Sequence, residues 1–152
     1  MVDGGMVAGM STISPSISFK DNARQALEFY QSVLGGKLQI MSYGDMGQLA
    51  ASMGAPASEG NLVMHGELTL PNGMVIMAAD SGSTMPFVAA TRGMGIAYTG
   101  GKDDLDTISA AFKGLSDGAT DVMPFGPAPW GDYYGQLVDK FGIKWEFNAA
   151  GK

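Results

Sequence analysis

Asp139-Lys140-Phe141-Gly142-Ile143-Lys144-Trp145-Glu146-Phe147 reads as a glycine turn between two short strands. The second strand sets Glu146 among bulky apolar neighbours. A near-copy lies earlier in the chain. Gly66-Glu67-Leu68-Thr69-Leu70-Pro71-Asn72-Gly73 overlays Gly135-Gln136-Leu137-Val138-Asp139-Lys140-Phe141-Gly142, each a strand running into a turn glycine. Continuing without a gap puts Met77 opposite Glu146.

Outward from this hairpin the pattern repeats. Ile17 and Phe19 alternate with Ser16 and Ser18, a first strand. Asp21 or Asn22 is placed to cap a helix in which Ala23, Ala26, Leu27, Tyr30, Val33 and Leu34 recur at helical spacing, and Gly35-Gly36 ends it. Residues 37–43 follow as a strand, 45–60 as a loop with a helical turn near 48–53, then strands over 61–70 and 74–80. After a linker at 81–92 the order returns: a strand at 95–99, a helix at 103–116, a strand at 119–125, a Pro/Gly/aromatic loop, and strands at 134–139 and 143–149. Ile17-Ser18-Phe19 is expected to correspond to Ile96-Ala97-Tyr98. The chain reads as α+β, two tandem βαβββ modules forming a curved mixed sheet around a cavity. Module one spans about 13–80 and module two about 93–150 of a single domain at 13–150. Residues 1–12, rich in Gly, Met and Ala without a basic start, are expected to be a flexible tail.

The 152 residues suffice for one domain with a real core. Hydrophobic residues at 45% and charged residues at 16% argue for a globular chain. A net charge of −6 with nine Lys and Arg argues against nucleic acid, and the lack of a long apolar run against a membrane span. With no cysteine there is no disulfide, thiolate metal site or cysteine nucleophile, and the cytoplasm is the default location. No phosphate-loop Lys-Ser/Thr follows the paired glycines. The twelve Met suit an adaptable pocket, although plain core filling explains them as well.

Alternation also assigns faces. Leu62, Met64, Leu68 and Leu70 are expected under a helix, with Val63, His65, Glu67 and Thr69 on the opposite face. Trp145 and Phe147 belong to the helix side, while Lys144, Glu146 and Asn148 point away from it.

The Asp139-x-Phe141-Gly142-x-x-Trp145-Glu146 hairpin resembles the vicinal oxygen chelate superfamily. So does the run from Ile17-Ser18-Phe19 to Ala26-Leu27-Glu28-Phe29-Tyr30 and Leu34-Gly35, in its duplicated βαβββ setting. That superfamily includes glyoxalase I, extradiol dioxygenases, fosfomycin resistance enzymes and bleomycin-binding proteins. Ser14-Pro15, Ile76-Met77-Ala78-x-Asp80, Trp130 and Val138-Asp139-Lys140-Phe141-Gly142 resemble its PhnB-like branch. The resemblance covers the chain from about Ile13 and implies a homodimer. It also implies one divalent metal held by side chains from the first and last strand of each module. Carried over, those positions give Glu146, Met77, Pro15 or a neighbouring Ser, and Gly95 or Met94. Only Glu146 matches, so no metal or other cofactor is expected, and a divalent ion is not supported by the ligand count.

Three readings follow. The first is small-molecule binding without the usual metal. The second is a glyoxalase-like enzyme of lyase, isomerase or dioxygenase type using Glu146, with or without His65. The third is a dimeric scaffold with a vestigial cavity. Glu146 is the candidate base or anchor for a cationic or hydrogen-bond-donating ligand; a rim carboxylate in water or paired with Lys144 is the plainer alternative. His65, the sole histidine, shares a strand face with Glu67 and offers acid–base chemistry, two metal ligands (a displaced metal site if Glu146 converges on them) or, more plainly, a solvated or hydrogen-bonded pair. Trp130, Tyr133 and Tyr134, around the Pro/Gly-rich loop before the last hairpin, are candidates to stack on a flat ligand or lid the cavity, or more plainly to fill a gap between modules or a dimer interface; Glu67, Met77, Trp130, Tyr134 and Gln136 make up the candidate ligand-binding set. Asp103, Asp104 and Asp106 suit the start of a helix.

Overall fold

The computed structural model describes residues 11–83 and 85–151. The expected flexible tail therefore falls, for residues 1–10, outside the described residues. Contacts divide the chain into two compact units that part between Ala89 and Ala90, within the stretch read as a linker.

The first unit carries β1 (Ser16–Phe19), α1 (Ala23–Leu34), β2 (Lys37–Ser42), α2 (Gln48–Ser52), β3 (Val63–Thr69) and β4 (Val75–Asp80). The second carries β5 (Ile96–Gly100), α3 (Leu105–Leu115), β6 (Thr120–Pro127), β7 (Tyr133–Val138) and β8 (Lys144–Ala149). Each unit forms a four-stranded mixed sheet, in the orders β1-β4-β3-β2 and β5-β8-β7-β6. The first strand of each lies parallel to the last, and the other neighbours are antiparallel. This is the repeated βαβββ architecture of an α+β fold. Among the described residues no helix is long and apolar enough to cross a membrane.

Register makes the repeat literal. Glu67 faces Met77 as Gln136 faces Glu146, and Leu68 faces Ile76 as Leu137 faces Trp145. Both turns are closed by glycines in the left-handed region, Gly73 at φ 89° and Gly142 at φ 87°. The first strands correct the expected correspondence. Ser16 lies beside Met77 and Ala97 beside Glu146, so Ile17 matches Tyr98 rather than Ile96. No tight turn fixes the register of a parallel edge strand, and the shared Ile-x-aromatic pattern misled by two residues.

The helix sides hold the cores. Trp145 and Phe147 are buried as expected, and Phe112 of α3 meets Phe147 edge-on at 5.2 Å. In the first unit α1 lies so close on β3 that a Cβ on Gly66 would sit 2.4 Å from Leu27 Cδ1. The face assignment at the start of β3 needs correction. Val63 is fully buried, while Leu62 and Met64 are only partly so. Met41 pairs with His65 but Ser42 pairs with Val63, so Met64 is an extra residue in β3. This bulge reverses the alternation below it and leaves Gly66 and Leu68 on the helix side. Neither Asp21 nor Asn22 caps α1 with its side chain. Asp80 does so from the end of β4, accepting Ala23 N–H at 2.9 Å.

Candidate functional site

On the face of the second sheet turned away from α3, one row runs Ala97, Glu146, Gln136, Met123 across the four strands. Glu146 projects there because β8 alternates strictly: Trp145, Phe147 and Ala149 are buried, while Lys144, Glu146 and Asn148 are partly exposed. Tyr134 stands in the next row opposite Asn148 and reaches diagonally, donating its hydroxyl to Glu146 Oε1 at 3.0 Å. Lys144 Nζ lies 3.7 Å from Oε2. Both partners are partly exposed, so that ion pair contributes little. The Trp130 ring, largely exposed, meets Tyr134 edge-on at 5.5 Å.

Tyr133 belongs to β7 rather than to the preceding loop, and Tyr134 follows it in the strand as expected. Alternation sends Tyr133 to Phe125, 6.2 Å between ring centres, and Tyr134 to Glu146. The Tyr134 hydroxyl is held above the ordinary tyrosine range. Burial contributes most, then the hydrogen bond to Glu146 and its charge. Phenol stays neutral at physiological pH and donates to the carboxylate. The remaining lone pairs of both groups are acceptors. With a raised folded-state value, the stability contributed by this proton is present below about pH 10 and lost as pH rises through the raised value. Replacing Glu146 with Gln should bring the Tyr134 titration down but leave it above the ordinary value, because burial remains. NMR of ring-carbon-labelled tyrosine reads this directly, and an unmoved midpoint would exclude Glu146 as a contributor.

In the first unit the equivalent row is Ser16, Met77, Glu67, Gln39. His65 sits one alternation from Glu67, and their side chains meet at 2.8 Å, Nε2 to Oε2. The structure thus gathers Glu146, Tyr134, Gln136 and Trp130 on one unit's sheet, and His65, Glu67 and Met77 on the other's. Gln39, Met41 and Met123 went unread in the sequence, since they enter by cross-strand register. Asn148 was legible from its spacing two residues after Glu146.

The positions that resemble metal ligands offer poor donors. Beside Glu146 stands Ala97, rather than Gly95 or Met94, and beside Met77 stands Ser16. A methyl group, a thioether, a neutral hydroxyl and one carboxylate do not fit a hard divalent ion. Among the described residues no three His, Asp or Glu side chains gather to hold a metal.

A profile of the family described as 3-demethylubiquinone-9 3-methyltransferase matches residues 11–148. The chain is 25% identical to protein YjdN of Escherichia coli K12 over 144 residues, covering 91% of this chain and 95% of YjdN. Protein PA1353 of Pseudomonas aeruginosa superposes with a TM-score of 0.74 at 27% identity, covering 93% and 98% of the two chains. A Bacillus cereus structure is described as a putative 3-demethylubiquinone-9 3-methyltransferase, PhnB protein. It reaches 0.69 at 27% identity, covering 92% of this chain and all of the other. A glyoxylase/bleomycin resistance protein/dioxygenase domain from Frankia shares the fold, with a TM-score of 0.55 at 19% identity over 93% of each chain.

Proposed function

We propose that this chain, which belongs to the 3-demethylubiquinone-9 3-methyltransferase family, the PhnB-like branch of the vicinal oxygen chelate superfamily, binds a small molecule without a divalent metal. Only membership is taken from the family's description, because one fold serves many chemistries. The observation that carries the reading is the Tyr134–Glu146 hydrogen bond on an open sheet face, with Gln136 in register and Trp130 alongside.

That face offers acceptors: the outer carboxylate oxygen and the phenol lone pairs. It also offers an aromatic surface that attracts cations. The ligand class it suits carries hydroxyl or ammonium donors on a flat or apolar body. The bleomycin-resistance likeness supports a binding role, and the thioether of Met77 where a ligand position falls supports metal independence. A cytoplasmic homodimer belongs to the same reading, in keeping with the cysteine-free sequence and the habit of the superfamily.

Calorimetric titration with aromatic amines and polyhydroxylated aromatics in EDTA tests the proposal. At least one compound should bind. Glu146→Gln or Tyr134→Phe should weaken it by about tenfold or more, the loss expected for one hydrogen bond to a charged group. Binding that requires an added divalent ion, or that survives both substitutions, would overturn it.

A further inference from the structure

The repeat register gives His65 a counterpart. Gly66 matches Gly135, so His65 occupies the place of Tyr134, and Glu67 that of Gln136. Each unit therefore carries a proton-bearing ring at the same strand position, bonded to a carboxylate on the face away from its helix. The carboxylates differ in origin. Tyr134 reaches across to β8, whereas His65 meets Glu67 two residues along its own strand.

The chemistry differs too. A phenol with a raised titration holds its proton at neutral pH and cannot serve as a base. A neutral imidazole has a ring nitrogen that can accept one. An ionised carboxylate only accepts hydrogen bonds, so Nε2 must carry the hydrogen directed at Glu67 Oε2. That tautomer leaves Nδ1 with its lone pair, and among the described residues no hydrogen bond to Nδ1 occurs. His65 and Glu67 are 48% and 37% exposed, so a small molecule can reach the ring. The neighbours are uncharged: Met41 opposite His65 on β2, with Gln39 and Met77 flanking Glu67. Lys37, opposite Thr69 on the same face, lies four residues along β2 from Met41, about 13 Å. Glu67 is thus the carboxylate that orients the ring.

We propose that His65 is a general base for water or a hydroxyl group, with Glu67 as its positioning residue. This inference stands on the first unit alone and does not rest on the Glu146 site. In the step, Nδ1 takes the proton of the O–H bond, and the bonding electrons stay on oxygen. That oxygen attacks an activated acyl carbon, and the alcohol or phenol leaves with its electron pair. The imidazolium stays paired with the Glu67 carboxylate until it returns the proton.

The single histidine makes the test clean. Two-dimensional nitrogen–carbon NMR of the full chain should show the Nε2–H tautomer above the His65 titration. Glu67→Gln should shift it toward the tautomer mixture of free histidine. With p-nitrophenyl acetate as probe, the wild type should exceed the buffer rate by about tenfold or more, modest for a positioned base. The rate should rise with pH along the His65 titration seen by NMR. His65→Gln should abolish the excess, and Glu67→Gln should reduce it and displace its pH midpoint. An Nδ1–H tautomer in the wild type, or a rate unchanged in His65→Gln, would overturn the proposal.

Discussion

Replacing Asp139 with Asn is expected to lower the thermal unfolding midpoint by roughly 6–12 °C, the shift that about 3 kcal/mol produces in a domain of this size. Asp139 is 2% exposed, and the bonds its carboxylate accepts within the hairpin are charge-assisted. Oδ1 accepts the Phe141 and Ile143 amides at 2.8 and 3.1 Å, while Oδ2 accepts the Trp145 indole N–H at 2.9 Å. The carboxylate thus closes the turn and orients the largest buried ring of the unit. An amide keeps one acceptor oxygen but turns a second N–H against the indole. Two buried donors then face each other, at about 1–3 kcal/mol, in addition to the loss of charge assistance. Asp139→Ala removes the carboxylate from all three donors and should cost more. Thermal unfolding followed by Trp fluorescence and circular dichroism measures both. A midpoint within a degree or so of wild type for the Asn variant would show that the turn holds without the carboxylate.

Replacing Asp80 with Asn should produce a loss of similar size in the first unit, about 3 kcal/mol. Asp80 is 3% exposed and bridges two amides distant in sequence, Ala23 at 2.9 Å and Val63 at 2.8 Å. One carboxylate therefore caps the start of α1, where negative charge is favoured by the helix dipole, and pins the bulged end of β3. An amide satisfies one of these donors and opposes the other. Hydrogen exchange should accelerate first at Ala23 and Val63, ahead of the rest of α1 and β3. Unchanged protection at both amides would count against the bridge.

The two carboxylates show how unevenly the sequence could be read. Asp139 sits within its own hairpin, and its neighbours Gly142 and Trp145 already marked it as part of a distinctive turn. Asp80 was visible only as a motif member. Its partner Ala23 lies 57 residues away, and the sequence pointed instead to the adjacent Asp21 and Asn22. The site followed the same rule. Period-two spacing put Glu146 with Lys144 and Asn148, and His65 with Glu67, on exposed faces. That Tyr134 would cross to Glu146 had no local sign, because strand pairing brings the two together.

The sequence by itself determined the duplicated βαβββ order, the turns, the superfamily resemblance and the equivalence of Met77 and Glu146 in the repeat. Those features depend on side-chain period, turn glycines and local spacing, which are written in contiguous residues. Only the tertiary structure decided that Met64 bulges out of β3, that Ile17 matches Tyr98, that Asp80 caps a remote helix, and that a phenol and an imidazole occupy equivalent places beside different carboxylates. Each depends on cross-strand register or long-range packing. Neighbouring strands and helices fix these only when the whole unit closes around its core.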